Sequence, residues 1–192
     1  MRAAAGVRLA LPRPVLTRPD LPDGEDLTRL VWAARRGSQD AFAELYRRFS
    51  RAIHGVLVAR LPYDAAEDLV QDVFLEAHRR LTDLRDPHAF GAWLCAMARH
   101  HAVNHYRRRK QTERLVDVVA ARDKPDVSTE ARQVLDAIQA LPEAYRETLV
   151  LRLVEGHTGP EIAELTGLSP GSVRVNLHRG FRLLRERLGV TS

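Results

Sequence analysis

The stretch "LPEAYRETLVLRLVEGHTGPEIAELTGLSPGSVRVNLHRGFRLLRERL" (141–188) decides the fold. Within it, Thr158-Gly159-Pro160-Glu161 has the form of a capping box, in which a hydroxyl residue and an acid three positions later satisfy amides at a helix start. The helix it opens presents Ile162, Ala163 and Leu165. It stops at Gly167, which suits the left-handed turn residue needed there. Leu168 is expected to plug inward. Ser169 then caps a second helix with Pro170 at its first position. That helix should bury Val173, Leu177, Phe181, Leu184 and Leu188 and end at Gly189. A short helix, a glycine turn and a longer helix form a helix-turn-helix.

Away from its buried stripe the second helix shows Ser172, Arg174, Val175, Asn176, His178, Arg179, Arg182 and Arg185. It carries Arg174, Arg179, Arg182, Arg185 and Arg187 against a single acid, Glu186. Residues near the amino end of such a helix can enter the major groove, and later Arg residues can meet phosphates. The plainer reading is a helical hairpin with a solvated Arg face.

Working back along the chain, Pro142 starts a helix containing Tyr145, Leu149, Val150, Leu153 and Val154. Val134, Leu135, Ile138 and Leu141 make the stripe of a helix before it. Asp123-Lys124-Pro125-Asp126 is a breaker and the best domain boundary. Ahead of it a helix is expected from about His88 to Lys110. Its first half is apolar, with Phe90, Trp93, Leu94, Met97 and Ala98; Phe90 reads as core, and Trp93 as core with a base-stacking wedge as the alternative. Its second half is basic, from Arg99 to Arg107, Arg108, Arg109 and Lys110, with no acid among them. A solvated helix end, favoured by the dipole, is the alternative reading of that run.

In "DAAEDLVQDVFLEAHRRL" (64–81), Asp64 to Glu67 looks like an acidic capping box. Ala66, Leu69, Val70, Val73, Phe74, Ala77 and Leu81 form one amphipathic stripe. Asp68, Gln71, Asp72 and Leu75 lie off it. Leu75 is an apolar residue on a polar face, which suggests a partner or simply one exposed leucine. Two further helices precede, the second capped by Ser38 after a stop at Gly37. Residues 1–25 hold Pro12, Pro14, Pro19 and Pro22 and read as a disordered leader.

Bulk properties agree with a soluble DNA-binding chain. The 192 residues carry a net charge of +5, and of the 30 basic residues all but Lys110 and Lys124 are Arg. Arg forks suit phosphate and guanine edges, although coding bias also raises Arg content. A single cysteine, Cys95, excludes an intrachain disulfide and cysteine-based zinc sites, and its neighbours make it a core thiol. No apolar run approaches the ~20 residues of a membrane span, and no signal-peptide core is present. A cytoplasmic, nucleoid-associated protein without metal or cofactor is expected. No nucleophile motif or phosphate loop points to an enzyme.

Three stretches in order, 64–81, "FGAWLCAMARHHAVNHYRRRK" (90–110) and 141–188, resemble the extracytoplasmic-function (ECF) group of sigma-70 RNA polymerase sigma factors. The resemblance spans about 26–188. It implies an all-α chain of two small helical domains joined by a flexible linker. Residues 26–110 would bind polymerase and read the minus-ten element, 111–127 would be the linker, and 128–192 would read the minus-thirty-five element. Asp68, Gln71, Asp72 and Leu75 become the face for a coiled coil of the polymerase's largest subunit. Arg85, Asp86, His88 and Ala89 correspond to the loop that captures a flipped minus-ten base. Asn104, Tyr106, Arg107, Arg108 and Arg109 would track DNA backbone or upstream duplex. Ser172, Arg174, Val175, Asn176, His178 and Arg179 take the recognition-helix positions. Many relatives carry a small hydroxyl residue and an Arg where Val175 and Asn176 stand, which leaves the promoter sequence open. The family also implies an anti-sigma factor as a partner. Two rivals remain: a stand-alone helix-turn-helix regulator, which leaves 64–110 without a job, and an RNA-binding or interaction protein supported only by charge.

Overall fold

A computed structural model describes residues 24–113 and 129–189. The rest of the expected leader and of the linker lies outside the described residues. Among those described, the chain is all helical: α1 (Gly24–Arg35), α2 (Gln39–Val58), α3 (Tyr63–Arg80), α4 (Phe90–Glu113), α5 (Thr129–Gln139), α6 (Glu143–Leu153), α7 (Gly159–Thr166) and α8 (Pro170–Leu188).

The first four helices pack around α2, which touches α1, α3 and α4. The reason is in its sequence: Leu45, Phe49, Ala52, Ile53, Val56 and Leu57 are all buried, so α2 offers apolar surface on several sides. Ser38 caps it as expected, its Oγ accepting from the Ala41 amide at 3.2 Å. The stripe of α3 is buried at Ala66, Val70, Val73, Phe74 and Ala77. Phe90, Leu94, Cys95 and Ala98 of α4 complete this core. The last four helices pack around α6, whose Leu149, Val150 and Leu151 are buried.

Several local expectations are corrected. α1 starts at Gly24, two residues inside the expected leader, with Glu25 and Asp26 favouring its positive end. The Asp64 capping box does not form. Pro62, with extended ψ of 150°, takes the N-cap position without a side-chain bond, so Asp64 sits inside the first turn. α4 begins at Phe90 because Pro87–Ala89 is a separate 3-10 turn, and it continues through 111–113, which the linker was expected to include.

Across the carboxy-terminal motif the local chemistry holds. Glu161 accepts from the Thr158 amide at 2.6 Å, completing the capping box. Gly167 takes φ 73°, and Ser169 Oγ accepts from the Ser172 amide at 3.1 Å. Leu168 does not plug inward. It is 38% exposed, because the turn after Gly167 carries it over the α6–α8 cleft rather than into the core.

The two helical groups also touch each other. α2 packs on α6, and α4 packs on α7.

Candidate partner and nucleic-acid interfaces

On α3, Asp68, Gln71, Asp72 and Leu75 are all exposed. Their offsets of 0, 3, 4 and 7 set them on one face of the helix. Leu75 is 55% exposed, the apolar centre of an otherwise polar surface. Behind it, Val70, Val73 and Phe74 hold the opposite face in the core, so α3 cannot turn to hide Leu75.

Asp72 also lines a groove between α3 and α4, together with Asn104 and Arg108. The structure thus brings the edge of the acidic face and the basic end of α4 together. Within that groove Glu76 bonds to His101 at 2.6 Å and to Arg80 at 2.9 Å. The His101 bond first, and then the Arg80 bond, holds its carboxyl below the usual range.

Along α4, Arg107 and Arg108 are exposed and Asn104 is half-buried. Tyr106 keeps an exposed ring, but its hydroxyl donates to the Arg60 carbonyl at 2.6 Å. That bond ties α4 to the end of α2 and leaves the ring face for any ligand. Arg109 falls on the helix, but its side chain lies outside the described residues. Val103 was missed by sequence reasoning. It is 56% exposed between His100 and Arg107 on the same face, an apolar spot within a cationic stripe. Helical spacing from Arg107, four residues on, would have found it.

Residues 85–89 arch between two buried anchors, Leu84 and Phe90. Arg85, Asp86 and His88 are exposed and Ala89 is half-buried. One Asp86 oxygen caps the following turn, accepting from the His88 amide at 3.0 Å. The His88 ring lies 3.3 Å from Thr28 Oγ1, which braces the loop on α1. Trp93 is half-buried against Phe90, in line with a core role.

On α8, Val173 and Leu184 are buried and Leu177, Phe181 and Leu188 pack against the core. Arg174, Val175, His178 and Arg179 consequently face outward together with Ser172. Val175 is 45% exposed and offers a methyl-sized apolar contact. Asn176 differs from its neighbours. Its Nδ2 donates to the Ala144 carbonyl at 3.1 Å, which commits one amide hydrogen to α6 and leaves one hydrogen and the carbonyl oxygen.

Arg99, the first residue of the basic half of α4, does not belong to these surfaces. It donates to Glu147 through Nη2 at 2.8 Å, and so faces the other helical group.

Among the described residues no group of His, Cys, Asp or Glu could hold a metal ion. No described helix is long and apolar enough to cross a membrane.

Comparison with known proteins bears on both groups. Residues 45–112 match the family described as Sigma-70 region 2, and residues 131–184 match Sigma-70, region 4. The chain is 37% identical over 166 residues to the RNA polymerase sigma factor CarQ of Myxococcus xanthus, covering 81% of this chain and 93% of that protein. It is 29% identical over 177 residues to the ECF RNA polymerase sigma factor BldN of Streptomyces coelicolor, covering 86% of this chain and 67% of that protein. Among solved structures it is similar to CnrH in complex with the cytosolic domain of CnrY, at 27% identity and a TM-score of 0.64, covering 87% of this chain and 99% of that one.

Proposed function

The chain belongs to the extracytoplasmic-function group of the sigma-70 family, and on that premise we propose how this promoter-specificity factor divides its work. Residues 26–110 bind core polymerase and open the minus-ten element. Residues 128–192 read the minus-thirty-five element as duplex, and 111–127 link the two. One observation carries this reading: a single chain exposes both an acidic face centred on Leu75 and, on another helix, a cationic face headed by Arg174.

The α3 face takes the coiled coil of the polymerase's largest subunit. Asp68 and Asp72 meet cationic side chains, Gln71 adds a hydrogen bond, and Leu75 packs at the centre, where apolar contacts contribute most. The arch at Arg85, Asp86, His88 and Ala89 receives an unstacked minus-ten base, held by edge hydrogen bonds and by Arg85 on a phosphate. Asn104, Tyr106, Arg107, Arg108 and Arg109 follow the backbone beside it. Ser172, Arg174, Val175, His178 and Arg179 enter the major groove, where Arg174 reads a guanine and Val175 packs on a thymine methyl. Asn176 contributes through its free carbonyl oxygen. The chain works in the cytoplasm on chromosomal promoters. CnrH is solved with the cytosolic domain of another protein, and an anti-sigma factor is the corresponding partner proposed here.

The test is reconstitution with purified core polymerase on a mapped target promoter. Attachment to core and a defined start site are expected. DNA binding without attachment would instead favour the stand-alone regulator. Neither attachment nor start-site selection would overturn the reading.

A further inference from the structure

We propose that Trp32, on the outer face of α1, is a stacking platform for a second unpaired base of the opened promoter strand, one or two nucleotides from the base held in the arch. The platform stands on the geometry of α1; the arch as its neighbour rests on the proposed function.

Trp32 is 46% exposed, the largest of the outward apolar side chains among the described residues, and none of the faces of α3, α4 and α8 includes it. A lone surface aromatic is ordinary. This one is held in a fixed pose. The Arg35 guanidinium lies over the indole, 4.8 Å from the ring centroid, and Arg35 Nε donates to the Leu81 carbonyl at 3.0 Å. That bond ties the cation to the 3-10 turn Leu81–Asp83, which leads into the arch. One face of the indole is thus covered by Arg35, and its exposure belongs to the other face and the rim. An aromatic surface fixed before it meets its ligand loses little side-chain freedom on binding.

Position ties the platform to the arch. Thr28, one turn before Trp32, lies 3.3 Å from the His88 ring, and a Cβ on Gly24 would come within 3.3 Å of the same ring. Arg35, at the other end of α1, holds Leu81. The segment 81–89 therefore runs back along α1, from Arg35 towards Gly24, and Trp32 stands between its two ends. Four residues of helix span about 6 Å at ~1.5 Å each. That is one or two steps of a strand at ~3.4 Å per nucleotide. A strand with one base in the arch beside His88 brings a neighbouring base within reach of Trp32.

The surrounding charge favours a nucleic acid over a protein surface. Arg35, Arg36 and Arg85 meet no carboxylate among the described residues. Of the nearby acids, Asp26 is bonded to Arg29 and Asp83 to Arg80, while Glu25 stands exposed two turns away at the amino end of α1. Unmatched cations beside an aromatic face are the pairing that holds single strands: the ring stacks on the base and Arg takes the phosphate. Because every base has a π-face, the platform adds affinity with little preference for sequence.

The experiment uses the full chain in holoenzyme on a premelted target promoter, with one abasic site at a time in the displaced strand. Wild type, Trp32→Leu and Trp32→Phe are compared. Leu keeps apolar bulk without a π-face, and Phe keeps the π-face. Trp32→Leu is expected to weaken the complex about tenfold and Trp32→Phe less than about threefold. In wild type an abasic site one or two nucleotides from the arch-held base is expected to give a similar loss, and in Trp32→Leu no further loss, since partners in contact are not additive. Equal affinity of Trp32→Leu and wild type, or losses that add at every position, would overturn the platform. So would weaker attachment of Trp32→Leu to core polymerase without DNA, which makes Trp32 a protein contact. If no form attaches to polymerase, the proposed function fails, and indole fluorescence still decides the platform. Taken as the difference between wild type and Trp32→Leu, it should be quenched when the free chain meets a short oligo-dT strand; an unquenched signal would overturn the platform.

Discussion

Two regions of this molecule use the same ionic side chains for opposite ends. Along the seam between the helical groups, Arg60 and Arg99 surround Glu147, and Arg51 and His54 meet Glu155. Those cations are already matched, so their effect is on packing. On the outer faces of α3, α4 and α8, by contrast, Asp72, Arg107, Arg174 and Arg179 stand exposed. The difference teaches that an Arg count says little here, whereas the location of the opposite charge says a great deal. Arg99 and Arg107 lie two turns apart on one helix and belong to different regions.

Four measurements would break or sharpen that contrast. The largest effect concerns Cys95, which lies in the core near the seam. Burial, reinforced by the charge of Glu147, pushes its thiol up to about 12 from the usual 9.0. At pH 8 its thiolate is then roughly a thousandfold scarcer than that of a free thiol, since each pH unit is tenfold. Alkylation by iodoacetamide should be correspondingly slow in the folded chain and fast in urea; equal rates would refute the buried environment.

The outer face comes next. Asp72→Arg or Leu75→Asp should reduce binding to core polymerase by about a hundredfold, comparable to losing a central contact. Unfolding stability should shift by less than ~0.5 kcal/mol, as for exposed positions in general. Pull-down together with urea titration reads both, and unchanged binding in both variants would remove the α3 assignment.

The seam should behave in the reverse manner. Arg99→Ala leaves Glu147 buried with one fewer partner, and breaking such a pair costs about 3 kcal/mol, somewhat less here because Arg60 remains. Arg107→Ala, on the outer face, should cost less than ~0.5 kcal/mol. Similar losses for the two in urea unfolding would erase the distinction drawn above.

The smallest effect separates positions within α8. Arg174→Ala should weaken binding to the cognate element by about 1–3 kcal/mol at one base pair only, whereas loss of a phosphate contact weakens all sequences alike. Fluorescence anisotropy over a set of single-base variants distinguishes them. A uniform loss would reassign Arg174 to the backbone.

Much of this molecule was legible because its signals are local. Helical spacing in 64–81 and 170–188, the Thr158–Glu161 box, the Ser169 cap and the left-handed Gly167 each act over a few residues, and each recurs in the structure. The local errors have local causes too. Pro62 displaced the expected cap at Asp64, and the turn after Gly167 carried Leu168 outward.

By itself, then, the sequence determined which segments are helical, which side of each is apolar, and which residues point outward. Tertiary structure alone decided which charges are free. Arg99 meets Glu147 across 48 residues, and Arg51 meets Glu155 across 104. Pairings at that separation depend on how whole helices stack, and neither spacing nor composition encodes them. For the same reason helical spacing alone does not account for a glycine at position 55, whereas Glu155 lying against it does.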